Sequence, residues 1–166
     1  LPWQRQSDMV TIDAEVDFIS DRGDEVWNIL QSRGVQNVIL VGVHTNMCVL
    51  GRPFGLRQMA RCGMNVVLMR DMTDTMYNPR RWPYVSHHEG TRRVIAHIER
   101  YVCPTITSDQ VLGGEVFRFS DADNGDEPYL DSPAMPDEPQ RHWSITNVPQ
   151  RGDQVDGGLN QWLRCV

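Results

Sequence analysis

The sequence predicts an α/β domain, a three-layer α/β/α sandwich built around a parallel, Rossmann-like sheet. Two apolar runs, at residues 38–41 and 65–70, are the first indication, because strands buried on both faces have this composition. The second is the segment between them, residues 46–62, which is long enough to be the helical crossover that two parallel strands require. We therefore expect these runs to be parallel inner strands of one sheet.

The remaining elements continue this alternation of strand and helix. The crossover helix contains Pro53, which should kink it, and the flanking Gly51 and Gly55 would allow close approach to another backbone. In chain order, the other predicted elements are a short strand at 9–12, a helix at 24–33 capped by Asp24, a loop at 71–86, a helix from 86 or 87 to 101, a strand at 104–107, and a last helical turn at 108–112 capped by Ser108.

The character of the chain changes after Gly113 and Gly114, so we divide it into a domain at residues 1–119 and an irregular C-terminal extension at 120–166. Residues 121–140 are acidic and contain several prolines, a composition typical of segments that do not pack. One candidate strand follows at residues 141–148.

Composition excludes several classes of function. The 166 residues carry a formal net charge of −6, and their arginines are scattered, which argues against nucleic acid and anionic membranes as partners. No apolar run reaches the roughly 18 residues of a membrane helix. The four cysteines show no short paired spacing, which favours free thiols and a cytoplasmic protein. We expect a small-molecule substrate and no cofactor or metal; a homo-oligomer is left open.

Cys48 is the main candidate for chemistry. It follows the strand at 38–41 and falls in the first turn of the predicted helix, where the helix dipole favours a thiolate. The backbone N–H groups of Met47 and Cys48 are placed to hold an oxyanion. A strand, a tight turn, a nucleophile and a helix form a catalytic layout. The alternative is a buried structural cysteine, since free cysteine is among the most buried residue types.

The same residues carry a family resemblance. Residues 42–49, with the sequence GVHTNMCV, resemble the nucleophile segment of the isochorismatase-like cysteine hydrolases, a superfamily that includes nicotinamidases. The likeness continues through residues 60–71, and it extends upstream to Val26 and downstream to about Leu112. The resemblance implies an Asp–Lys–Cys triad with Cys48 as the attacking residue. It also implies a cis peptide bond between Val43 and His44 that shapes the oxyanion hole.

The chain departs from that family pattern in two ways. It contains no lysine, since all 16 of its basic residues are arginine. When the family pattern is aligned on Leu30 and Gly34, its lysine falls at residues 13–17. That stretch is acidic instead. The family's first strand and its aspartate are not found either, which indicates an N-terminally incomplete chain and a fold lacking its first strands.

Several other side chains are candidates for the pocket, each with a structural alternative. The set comprises His44, Thr45, Asn46, Asp13, Asp17, Trp82 and Tyr84. Trp82 and Tyr84 would either roof the pocket or pack over the sheet edge. His44 would either line the pocket or contribute backbone geometry alone.

Three further residues are interpreted as structural. Adjacent histidines on a helix point in different directions, so His87 and His88 are assigned to capping or solvent rather than to a metal. Asp71 ends a strand at the edge where α/β sheets place their sites, but we favour hydrogen bonds to the loop that follows it.

Two classes of function remain. The first is a cysteine hydrolase acting on a small amide or related carbonyl substrate, in which an acidic residue at 13–17 partly replaces the missing base. The second is a non-catalytic relative or fragment that keeps the fold as a binding or oligomerisation module. The intact cysteine turn favours the first, and the absence of lysine favours the second.

Overall fold

The computed structural model describes residues 5–115 and 117, together with the backbone of residues 162–165. Its elements in chain order are α1 (Gly23–Ser32), β1 (Asn37–Val43), a π-helical turn (Thr45–Val49), α2 (Leu56–Arg61), β2 (Asn65–Asp74), α3 (His87–Tyr101), β3 (Thr105–Ile106), α4 (Asp109–Leu112) and β4 (Trp162–Cys165). The candidate strand at 141–148 and the acidic segment at 121–140 lie outside the described residues.

The sheet has the strand order β3-β2-β1-β4, and every neighbouring pair is parallel. Asn37 is in register with Asn65, and the pairing continues without interruption to Leu40 and Leu68. This arrangement confirms the predicted α/β fold with a parallel sheet. Strand β4 lies in the region predicted to be irregular. Its backbone pairs with β1 and so supplies hydrogen-bonding partners on that side of the strand.

Alternate residues of the inner strands build two cores, one on each face of the sheet. The larger core contains Val38, Leu40, Val66 and Leu68 from the strands. The helices α1, α2 and α3 all contribute to it, through Val26, Leu30, Leu56, Met59, Ile95 and Ile98. The opposite face carries a smaller cluster of Val67, Met69 and Ile106, with Ile39 and Val41 partly buried against it.

Two predictions near the N-terminal side are wrong. Residues 9–12 form no strand; Val10 N–H donates to Ser7 O in a turn (3.0 Å), and Met9 is almost fully exposed. Asp24 does not cap α1, because the N-cap residue is Arg22 and Asp24 lies inside the first turn. There its carboxylate accepts a hydrogen bond from Arg22 Nε at 3.1 Å.

The predicted helix at 46–62 is broken rather than kinked. The π-helical turn ends at Val49, and α2 begins only at Leu56, with Pro53 in the intervening residues. Gly55 makes the close approach expected of it, since a Cβ built there would lie 2.7 Å from Val49 O. Gly51 faces open space instead.

Strand β2 is longer than predicted and is bulged. Leu40 pairs with Leu68, but Gly42 pairs with Thr73, so four residues of β2 lie opposite Val41 alone. The loop predicted at 71–86 therefore begins after Asp74. The bulge brings Thr73 and Asp74 back beside the carboxyl end of β1.

Asp71 lies inside this bulge and is fully buried. Its carboxylate accepts hydrogen bonds from the backbone N–H of Ser108 (2.9 Å to Oδ1) and from the Ser108 hydroxyl. The prediction that Asp71 binds its own loop is thus wrong. Ser108 is the N-cap residue of α4, as predicted, but its side chain makes no cap hydrogen bond and donates to Asp71 instead. The carboxylate links β2 to the start of α4 because the bulge points it away from the following loop.

Helix α3 agrees closely with its predicted limits. Ser86 is the N-cap, and its hydroxyl oxygen accepts from the backbone N–H of Glu89 at 3.2 Å. Glu89 also pairs with Arg92 and Arg93, which hold the pKa of its carboxyl below the usual value although partial burial opposes this.

We expect Gly55→Ala to lower the free energy of unfolding by about 1–3 kcal/mol, because its methyl group would press on the Val49 carbonyl. Gly51→Ala is the matched control, and it should be neutral or slightly stabilising since nothing lies within 4 Å of a Cβ there. Urea unfolding of both variants gives the comparison. Equal stability of the two variants would contradict the close approach.

Stability should also fall at alkaline pH because of Cys103, whose burial raises the pKa of its thiol from 9.0 to about 12. Between these values the unfolded chain loses the proton while the folded chain keeps it. The contribution of the protonated Cys103 thiol to the free energy of unfolding is therefore complete below pH 9. It is lost as pH rises above 9, by up to about 1.4 kcal/mol per pH unit. Cys103→Ser should flatten the dependence seen by urea unfolding at about pH 8–10.5, whereas Cys62→Ser, at an exposed position, should not.

Candidate functional site

Cys48 lies in the π-helical turn that follows β1 at the carboxyl edge of the sheet. The Val43–His44 peptide bond immediately before this turn is cis. Val49 N–H donates to His44 O at 3.2 Å, which closes a turn wider than that of an α-helix. We call residues 45–49 the nucleophile turn. Cys48 is a partly exposed residue in this turn, whereas Cys62 is exposed and Cys103 is buried.

Two buried threonines hold the underside of the nucleophile turn. Thr45 Oγ1 lies 2.6 Å from Thr73 Oγ1, and Thr73 Oγ1 donates to Gly42 O at 2.7 Å. A hydroxyl has one proton to donate, so the Thr45 hydroxyl must be the donor to Thr73. This chain joins the turn, β2 and the last residues of β1. Thr45 is thus a structural residue of the site and is fully buried.

Asn46 connects the nucleophile turn to the residues after β2. Its Nδ2 donates to Met76 O at 3.1 Å, and its Oδ1 accepts from Met76 N–H at 3.0 Å. One side chain therefore satisfies both backbone groups of a single residue, in the manner of a strand partner. Asn46 lies two positions before Cys48, so this double hydrogen bond fixes the turn beside the thiol.

His87 and Asp74 form a second cluster at the same edge. His87 Nε2 lies 2.8 Å from Asp74 Oδ1, and His87 Nδ1 lies 3.3 Å from Tyr77 O. Asp74 Oδ1 also accepts from Thr75 N–H (2.8 Å) and from Thr91 Oγ1 (3.3 Å). Asp74 is the register partner of Val43, which places this cluster beside the strand end that leads into the nucleophile turn. His87 thus contacts the Asp74 carboxylate and the Tyr77 carbonyl, beyond the capping or solvent role predicted for it.

One of the two amide donors predicted for an oxyanion already has a partner in the nucleophile turn. Met47 N–H donates to His44 O at 3.0 Å and is therefore engaged within the turn. Its side chain is half exposed. A second acceptor at Met47 N–H would have to share this donor with His44 or replace it.

The other predicted pocket residues are distributed more widely. Asp13 and Asp17 are exposed and bind their own turn, with Asp13 N–H donating to Asp17 Oδ2 at 2.8 Å. Trp82 is 81% exposed and Tyr84 is 71% exposed. Neither side chain is therefore buried against another element in the described part of the chain. His44 is half-buried at the N-terminal side of the nucleophile turn.

An open groove of about 430 Å³ lies far from this chemistry, at the amino ends of the strands. Gln36, Cys62, Gly63 and Asn65 are among the residues that line it. Parallel α/β sheets place their sites at the carboxyl ends of the strands, so we assign the candidate site to the edge that carries Cys48.

Sequence reasoning missed several residues of this edge. Thr73, Asp74, Thr75, Met76 and Thr91 all take part in the contacts described above. The only sequence signal was the alternation of polar residues Thr73 and Thr75 after an apolar run, which does not identify their partners.

Two kinds of feature are absent from the described residues, a metal-binding cluster and a membrane-spanning helix. These residues contain no cluster of three or more histidine, cysteine, aspartate or glutamate side chains arranged to hold a metal ion. In the same part of the chain, no helix combines the length and apolar character needed to span a bilayer.

Comparison with known protein families gives one match. The family model described as Isochorismatase domain matches residues 9–110, which is more than half of the chain and includes β1, the nucleophile turn, β2 and α3. No curated protein and no solved structure matches the chain.

We expect Cys48 to react with iodoacetamide faster than Cys62 or Cys103 at neutral pH. Cys103 should be slowest because it is buried and the pKa of its thiol is raised to about 12. Cys62 is the informative control, because it is more exposed than Cys48 but lies outside the nucleophile turn. Peptide mass mapping after timed labelling, in a Cys165→Ser background, gives the three rates. Labelling of Cys62 as fast as Cys48 would remove the case for an activated thiol.

Proposed function

The chain belongs to the isochorismatase domain family, and from that membership we propose that it is a cysteine hydrolase with Cys48 as nucleophile. The proposed substrate class is a small amide or a related carbonyl compound. The observation that carries the proposal is the position of Cys48: a partly exposed cysteine in a turn immediately after the carboxyl end of an inner parallel strand.

The proposed reaction has two stages. In the first, the Cys48 thiolate attacks the carbonyl carbon, a C–S bond forms, the C–N bond breaks, and the amine leaves with the proton that the thiol released. In the second, water attacks the thioester, the C–S bond breaks, and the acid is released with the free thiol. The Cys48 N–H supports the developing oxyanion. Met47 N–H joins it when its hydrogen bond to His44 O is shared or released.

Proton transfer is the weak part of this mechanism. The sequence contains no lysine, so the triad implied by family resemblance has no lysine counterpart in these residues. Arginine is a poor substitute because its guanidinium stays charged and has a different shape. The predicted replacements Asp13 and Asp17 bind their own turn. Acid–base assistance typically raises a reaction rate by about 10²–10⁴-fold. We expect turnover to be slower by a factor of this order than it would be with a complete triad.

Acylation of the thiol tests the proposal independently of overall turnover. With p-nitrophenyl acetate, we expect rapid release of about one equivalent of p-nitrophenol, followed by a slow steady rate. Mass spectrometry should locate the acetyl group on Cys48. Cys48→Ala should lose the burst, and Cys62→Ala should keep it. Acetylation of Cys62 and Cys48 at equal rates would contradict the assignment of the nucleophile.

Hydrolysis of nicotinamide and a panel of small amides then measures catalysis itself. We expect weak hydrolysis that Cys48→Ala abolishes. Robust turnover that depends on Cys48 would contradict the expected slow rate and would show that another group manages the protons. If Cys48 neither acylates nor turns over, the alternative of a binding or oligomerisation module replaces the enzyme proposal.

A further inference from the structure

We propose that Asn46, Asp74 and His87 are positioning residues for Cys48, acting through the backbone of residues 74–77. This inference rests on the proposed function, in which Cys48 is the nucleophile. We call residues 74–77 the clamp segment. None of the three side chains is assigned to contact the substrate, and each acts by fixing the nucleophile turn.

His87 holds both ends of the clamp segment. One ring nitrogen contacts the side chain of its first residue, Asp74, and the other contacts the carbonyl of its last residue, Tyr77. Both of these partners are hydrogen-bond acceptors, so a neutral ring, which has one N–H, donates to one of them and lies in contact with the other. A single side chain at the first position of α3 therefore spans the whole segment and ties it to the helix.

Packing and a second hydroxyl chain hold the same segment against α3. Thr75 Oγ1 lies 2.6 Å from Thr91 Oγ1, and Thr91 donates to Asp74, so Thr75 is the donor to Thr91. The Tyr77 ring lies directly against Gly90, where a Cβ would approach it to 2.6 Å. Thr75, Thr91 and Gly90 are buried, and their contacts restrict the segment to one position on the helix.

The nucleophile turn depends on this segment through Asn46. The Met76 backbone, in the middle of the clamp segment, supplies both hydrogen bonds of the Asn46 side chain. Asn46 is exposed, so its amide would otherwise turn toward water. A fixed Met76 backbone therefore selects one orientation of Asn46, and with it one orientation of the turn that carries Cys48. Displacement of a reacting atom by about 1 Å can reduce a rate by as much as 10²-fold.

The test compares Asn46→Ala with Gln110→Ala. Gln110 is a matched control, because it is also an exposed amide side chain bound to a backbone group: its Oε1 accepts from Thr107 N–H at 2.8 Å. It does not line the groove that contains Cys62. The measurement is the ratio of the iodoacetamide labelling rates of Cys48 and Cys62 within one sample, far below the unfolding midpoint. We expect the ratio to fall about tenfold in Asn46→Ala and to stay within twofold of wild type in Gln110→Ala.

His87→Ala and His87→Gln test the clamp from the other side, with His97→Ala as a control on the same helix, where His97 packs on Tyr101. His87→Ala should lower the ratio severalfold. His87→Gln should recover part of it, since an amide N–H can donate to Asp74 in place of Nε2. A role confined to stability would lower the urea midpoint without changing the ratio in folded protein, and that result would overturn the proposal.

Two provisions keep the test decisive. If Asn46→Ala does not fold, Asn46→Asp keeps the acceptor for Met76 N–H and loses the donor to Met76 O, and the same ratio is measured. If wild type is acylated by p-nitrophenyl acetate, the acylation rate constant of the Asn46 variant should be lower than that of wild type. The apparent affinity for the ester should be unchanged. If wild type does not acylate, the proposed function fails, yet the labelling ratio still decides whether these residues position the thiol.

Discussion

The hydroxyl group of Thr73 lies where three parts of the structure meet. It donates to the Gly42 carbonyl near the end of β1 and accepts from Thr45 in the nucleophile turn, while its own backbone belongs to β2. The group is buried, so its hydrogen bonds cannot be replaced by water, and loss of one partner would leave another unsatisfied. The arrangement of the candidate site depends on this single group reaching β1.

Thr73 reaches β1 only because β2 is bulged. A regular register would continue the pairing of Leu40 with Leu68 and would place Arg70 opposite Gly42. The bulge inserts extra residues and places Asp71 in its buried contact with Ser108. It also brings Thr73 and Asp74 back beside the carboxyl end of β1. One irregularity therefore anchors α4 and builds the edge beside Cys48. Bulges next to functional sites commonly redirect side chains in this way.

The site is divided between a rigid base and an exposed upper surface. Thr45, Thr73, Thr75 and Thr91 are buried, and hydroxyl hydrogen bonds join them in two pairs, Thr45 with Thr73 and Thr75 with Thr91. Above them, Asn46 and Met47 are exposed, and Cys48 is partly exposed. This separation suits a nucleophile, because the thiol must reach substrate while its backbone stays fixed. It also explains why an exposed side chain such as Asn46 can affect chemistry, since both its hydrogen-bond partners are backbone groups of Met76, the residue that follows the buried Thr75.

The sequence by itself determined the strands β1 and β2, their parallel relation, the limits of α3 and the placement of Cys48 just after β1. These features follow from local patterns: apolar runs, an N-cap serine and the length of a crossover. Only the tertiary structure decided the break at Pro53, the bulge in β2, and the pairings of Asp71 with Ser108, Asn46 with Met76 and Asp74 with His87. These pairings join residues 13 to 37 positions apart. Short polar side chains such as Asp and Asn favour caps and turns locally, so the sequence pattern assigned Asp71 to its own loop. Burial in the folded chain decided otherwise, because a buried carboxylate must find donors wherever the fold places them.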